Sequence, residues 1–251
     1  EYELARLNLA RATTLRSVDR SAEAVPLARS AAETFRRFGD TSRYLDARLT
    51  EGAIHLGMGN VAEALEIFLS IEGNPALEST SAVRLVYNIA HCRKQLGNAV
   101  EAIVDFRRCA AEFEMLGMDT ERTRAKWSLA HCLIAAGHTR DAVPVLRQAW
   151  REFEAMDMLG DCALVALELA EALLLVGEAG QVPAICRDLV ARFTAAGSAS
   201  RAITALSFLR EAVALGQAKP SLIREVHTFL QGIRTDRPRL YARPPAGATE
   251  D

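Results

Sequence analysis

The chain has 251 residues, 50% of them hydrophobic and 25% charged, with a formal net charge of −2. This is a globular composition, long enough for one large domain or two small ones. The near-neutral balance argues against a dedicated nucleic-acid binder, which carries a clear basic excess.

Taken in order, the predicted elements are pairs of helices marked by a recurring turn. "SVDRSAEAVPL" opens the series, followed by "GMGNVAEALEIF", "QLGNAVEAIVDF", "AAGHTRDAVPVL", "LVGEAGQVPAIC" and "ALGQAKPSLI". The aligned turn residues are Asp19, Gly59, Gly97, Gly137, Gly177 and Gly216, spaced 40, 38, 40, 40 and 39 apart. A second marker keeps a constant offset from four of these turns, at Phe35, Phe113, Phe153 and Phe193. Two registers held over five periods define a repeat. Within each period, apolar residues recur at three- and four-residue spacing, and the turn Gly suits a left-handed helix end. Pro26, Pro144 and Pro183 fall shortly past the marker at a near-constant offset, which places them in the first turns of a second helix, where a missing N–H costs least. No stretch alternates with period two for long enough to form a strand.

The reading is all-α, with roughly twelve helices. A two-helix unit cannot bury its own apolar face, so neighbours must stack into a solenoid. Expected units run over about 3–39, 40–76, 77–118, 119–158, 159–198 and 199–234. "IEGNP" cuts the second short, and the sixth is degenerate, as a terminal cap often is. A Pro- and Arg-rich tail or linker, 235–251, follows; docking of its Leu240 and Tyr241 onto the last helices stays open.

The triplet Ala-His-Cys occurs at His91 and again, one period later, at His131. Four zinc ligands and one structural position seen twice are the two readings. Neighbours on a helix point about 100° apart, so a His and the adjacent Cys do not easily chelate one ion. Two histidines alone make a poor zinc site. The repeat explains the doubling, and no metal or other cofactor is expected. The five cysteines (Cys92, Cys109, Cys132, Cys162, Cys186) are an odd number without a C-x-x-C pair, which suits reduced, buried thiols in a cytoplasmic protein. The most apolar stretch, "CALVALELAEALLLVG", is too short for a bilayer and carries Glu168 and Glu171. The chain opens on Glu1, already in a helical pattern, which reads as a piece of a longer protein.

Small residues stand at one fixed offset before the turn (Ala12, Gly52, Ala90, Ala130, Ala170) and at another after it (Ala24, Ala64, Ala102, Ala142, with Val182 the exception). With the turn Gly between them and a bulky Phe68, Phe106 or Leu146 one helical turn further on, this pattern resembles the tetratricopeptide repeat (TPR). "YNIAHCRKQLGNAVEAIVDF" is its best unit. Two departures exist: each unit is several residues longer than the family's usual one, and the closing proline is missing. The longer unit resembles arrays in bacterial regulatory proteins, and the resemblance implies a right-handed α-solenoid of about six units.

In the family, the first helix of each unit lines a concave groove where partners bind. The resemblance therefore implies a groove lined by Arg84, Tyr87, Asn88, His91 and Gln95 in the third unit. It adds Arg124, Trp127, Ser128 and His131 in the fourth, and Glu168, Glu171 and Leu174 in the fifth. Arg and amide side chains there suit an extended peptide's backbone and carboxylates, and aromatics cover its side chains. The family's Asn at the Asn88 position commonly bonds a peptide backbone. Arg84 and Arg124, at matching register, could form a basic ladder for an acidic segment, a solvated face being the alternative. No lysine reproduces the family's clamp for chain-terminal carboxylates, which argues against a receptor for chaperone tails.

No nucleophile elbow, phosphate loop or dinucleotide fingerprint is present, so no enzyme is expected. The leading expectation is a scaffold that binds a peptide or protein in the groove. The alternative is a sensor module that controls a fused DNA-binding or enzymatic domain. Neither direct nucleic-acid nor membrane binding is expected. Self-association through Trp150 on a second helix stays open.

Overall fold

The computed structural model describes residues 1–196, 206, 209, 216 and 219–235, and every element among them is helical. The chain forms two compact units, Glu1–His138 and Thr139–Asp251. The boundary falls in the turn of the fourth expected repeat. The tail 236–251, with Leu240 and Tyr241, and most of 197–218 lie outside the described residues.

The first unit holds α1 (Tyr2–Ser17), α2 (Ser21–Arg37), α3 (Thr41–Gly57), α4 (Val61–Ile71), α5 (Ser79–Gln95), α6 (Ala99–Met115) and α7 (Asp119–Ala135). Each helix packs on the next, and α1 also touches α3, as α3 does α5. The odd-numbered helices thus form one row and the even-numbered ones a second. The sequence signals account for this directly. The turn markers Asp19, Gly59, Gly97 and Gly137 take φ of 60°, 82°, 85° and 81°, the left-handed conformation that ends a helix and reverses the chain. At Gly97 the closure is a Schellman pair: Gly97 N–H donates to Lys94 C=O at 3.2 Å and Asn98 N–H to Arg93 C=O at 2.9 Å. The turns after the second helices use the same conformation at Gly39 (72°) and Gly117 (66°).

The small positions are where helices meet. Ala12, Ala24, Ala64, Ala90, Ala102 and Ala130 are wholly buried, with Phe35, Phe68 and Phe106 filling the space between layers. Gly52 shows why size matters: a Cβ there would collide with the Phe68 ring. Truncation of the second repeat at "IEGNP" leaves α4 with 11 residues where most helices have 17.

In the second unit α8 (Thr139–Ala155), α9 (Leu159–Leu175) and α10 (Val182–Ala195) are followed by α11 (Pro220–Thr235), with a short 3-10 turn at Ala179–Gln181. Turn residues Asp157, Gly177 and Gly216 again have positive φ, at 55°, 85° and 68°. Helix α9 packs against α8, α10 and α11 together, so residues on all its sides, Leu164 and Leu167 to Ala172 and Leu173, are buried.

One expectation about the prolines needs correcting. Pro183 stands at the start of α10, but Pro26 and Pro144 are each the sixth residue of a helix, past the first turn. There each removes an i→i−4 hydrogen bond, so both helices tolerate the loss through tertiary packing. All five cysteines are buried and none is in a disulfide. Among the described residues no helix is long and apolar enough to cross a membrane.

Candidate functional site

The odd-numbered helices of Glu1–His138 present side chains into a groove of about 550 Å³. Its floor and walls come from Thr13 and Arg16 on α1, a run from Asp46 to Ala53 on α3, and Arg84, Tyr87 and Asn88 on α5, with Glu121 from α7. Polar bridges hold the row in register. Ser81 Oγ donates to Asp46 at 2.8 Å between α3 and α5, and Arg84 lies 3.6 Å from Glu121 between α5 and α7. The Arg84 pair is solvent-exposed and contributes at most about 1 kcal/mol, so the guanidinium remains free to exchange partners.

Asn88 lies half-buried in the groove, and among the described residues its amide makes no side-chain hydrogen bond. Arg124 is exposed and has no ion pair among the described residues, while its charge reaches the Tyr87 phenol. Gln95 is exposed at the last position of α5.

Deeper in the row, aromatic packing takes over. Tyr87 meets His91 edge-to-face at 4.6 Å, and His91 meets Phe106 at 5.0 Å. Trp127 packs on His131 at 5.7 Å. Ser128, expected in the groove, is buried between α5 and α7, and its hydroxyl bonds the Tyr87 phenol and lies 3.4 Å from His91 Nε2. It fastens two first helices together and is not offered to a ligand. Burial, with Lys94 and His131 nearby, pushes the His91 imidazole down to about 3, so it is neutral at physiological pH. Burial likewise raises the Tyr87 phenol.

The doubled triplet resolves by direction. Ala90, Cys92, Ala130 and Cys132 point into the core with no exposure, and His91 and His131 are half-buried, packed on Tyr87, Phe106 and Trp127. Burial pushes the Cys92 thiol up to about 11 and Cys109 to about 12. Among the described residues no three His, Cys, Asp or Glu side chains form a group that could hold a metal ion.

Glu168 and Glu171 do not line an open groove. Helix α11 lies over them: Arg224 Nε is 2.9 Å from Glu171, and His227 Nε2 is 3.0 Å from Glu168. Trp150 is half-buried, and its indole N–H is enclosed beside Cys162, so it is not an exposed anchor.

Sequence reasoning missed Asp46, Leu49, Thr50 and Ala53. The signal was available: these stand before Gly59 at the same offsets at which Arg84, Tyr87, Asn88 and His91 stand before Gly97. The same register in α9 gives Leu164, Leu167, Glu168 and Glu171, two leucines where α3 and α5 carry groove side chains.

The fold and this row of first helices are those of a TPR-like helical repeat. No family profile matches the chain, and no curated protein matches it either. The fold is similar to the apo form of RapI, with a TM-score of 0.66 and 16% identity over 94% of this chain and 84% of that one. It is also similar to the nearly identical TPR-like repeats of a Podosopora anserina protein assigned as a kinesin light chain (TM-score 0.64, 17% identity, 76% of this chain, 95% of that one). A Rap protein complexed with competence and sporulation factor matches with a TM-score of 0.62 and 13% identity, over 92% of this chain; the chain spans 64% of that protein.

Proposed function

We propose that the protein is an interaction scaffold whose first unit holds a peptide, or an extended segment of a partner protein, along the row α1–α3–α5–α7. The supporting observation is the groove itself: among the described residues the Asn88 amide makes no side-chain hydrogen bond and Arg84 is held only by an exposed ion pair, while on α7 Arg124 stands exposed near the Tyr87 phenol. An amide bonds the backbone of an extended segment, and Arg selects a carboxylate on it. The segment is therefore acidic. A neighbour of this fold crystallised with a bound factor supports the reading by analogy. The buried thiols Cys92 and Cys109, held protonated, are poor nucleophiles, in keeping with a non-enzymatic role.

The test is affinity capture from a bacterial lysate, comparing the wild-type chain with Asn88→Ala/Arg124→Glu by mass spectrometry. Arg124 is exposed and Asn88 stands at the open groove, so the variant keeps its helicity and melting temperature. A protein held by the wild type and lost from the variant supports the groove; equal retention by both refutes it.

A further inference from the structure

The second unit carries a different surface. On α9, Glu168 and Glu171 stand one helical turn apart, with Leu164 and Leu167 in the preceding turn. On α11, Arg224 and His227 have the same spacing beside a stripe of Ile223, Val226 and Leu230, all buried. Arg224 meets Glu171 and His227 meets Glu168, so the two helices run antiparallel and a basic side chain faces each glutamate. The face of α9 is thus a fitted seat for an amphipathic helix with two basic residues one turn apart.

The fit of α11 is incomplete. Among the described residues His227 Nε2 is buried without a well-aligned hydrogen bond, although it lies 3.0 Å from the Glu168 carboxylate. Arg224 is 65% exposed, and Phe229, outside the buried stripe, is 43% exposed. The seat holds two carboxylates with little water around them, and an imidazole is a weaker partner for one of these than a guanidinium.

We propose that this face of α9 is a second binding site, specific for a basic amphipathic helix, and that α11 is its releasable occupant within the chain. A partner helix with the same apolar stripe and Arg at both basic positions takes the seat, and α11 comes off.

The experiment uses the full chain and a labelled synthetic peptide of residues 219–235 carrying His227→Arg, read by fluorescence anisotropy. In a chain with Arg224→Glu and His227→Glu, α11 is repelled from the two glutamates and the seat opens. The peptide then binds about tenfold or more tightly than to the wild type, the scale of a change in one close charge pair. Adding Glu168→Gln and Glu171→Gln to that chain abolishes the gain. Absence of peptide binding to the opened chain, or equal binding after the glutamates are neutralised, overturns the proposal. Hydrogen exchange on the wild-type chain gives a second readout that no variant can confuse. Amides of α11 exchange while α9 stays protected if the helix is releasable; simultaneous exchange of both helices rejects release.

Discussion

Helices α5 and α9 hold equivalent places in the repeat and meet different fates. Counted back from their turn glycines, Arg84, Tyr87, Asn88 and His91 of α5 match Leu164, Leu167, Glu168 and Glu171 of α9. Helix α5 keeps one face toward the groove, with Arg84 exposed and Asn88 half-buried. In α9 the matching leucines are buried and the glutamates lie against Arg224 and His227 of α11. Register fixes where a side chain points, while neighbours decide whether that direction leads to water. A helix apolar on all sides declares that it will be covered.

The contrast predicts unequal costs of substitution. Leu167→Ala in α9, at the position matched by half-buried Tyr87 in α5, removes a side chain with no exposure and leaves a cavity, costing about 2–5 kcal/mol in urea unfolding. Asn88→Ala, at the open face of α5, changes stability by less than about 0.5 kcal/mol. Similar losses at both would erase the distinction between an open and a covered helix.

Acid sharpens it next. His91 sits near 3 in the fold and ordinarily titrates near 6.5, so the unfolded chain takes up the proton first. Stability therefore falls as pH drops from about 6.5 toward 3, by roughly 3 kcal/mol at pH 4 from this residue. Lys94 and His131, whose charges oppose its protonation, act in the same direction. Urea midpoints measured at pH 7 and pH 4 should separate less in His91→Gln; an unchanged separation would mean that other groups carry the acid loss.

A smaller effect belongs to the close approach within the first unit. Gly52→Ala forces the buried Phe68 ring to move, at a cost of about 1–3 kcal/mol. The matching positions Ala90 and Ala130 already carry the methyl, so a thermal melt in which Gly52→Ala is neutral would show that Phe68 has room that the packing does not suggest.

The helical repeat is legible in the sequence because its determinants are local. Positive φ at Asp19, Gly59, Gly97, Gly137, Gly177 and Gly216 follows from six turn residues identifiable by spacing alone, and the wholly buried alanines follow from the same register. The groove is partly legible: Arg84, Tyr87 and Asn88 line it, and extending their register to α3 finds Asp46 and Thr50 as well. Register alone puts Ser128 in the groove, but its burial depends on how closely α5 and α7 approach, which no single helix encodes. Pro26 and Pro144 sit later in their helices than the repeat suggests, since a helix start shifts by a turn without disturbing the spacing. Trp150 is enclosed although nothing near it in sequence announces Cys162, which lies on the next helix.

By itself, then, the sequence determined the periodicity, the turn conformations and the small contact positions, because each depends on residues within a few turns of one another. Only the tertiary structure decided that the acidic strip on α9 is covered. The pairing of Glu168 with His227 and Glu171 with Arg224 joins positions far apart in the chain. A contact at that range arises from packing two apolar stripes, which the local pattern of either helix does not specify.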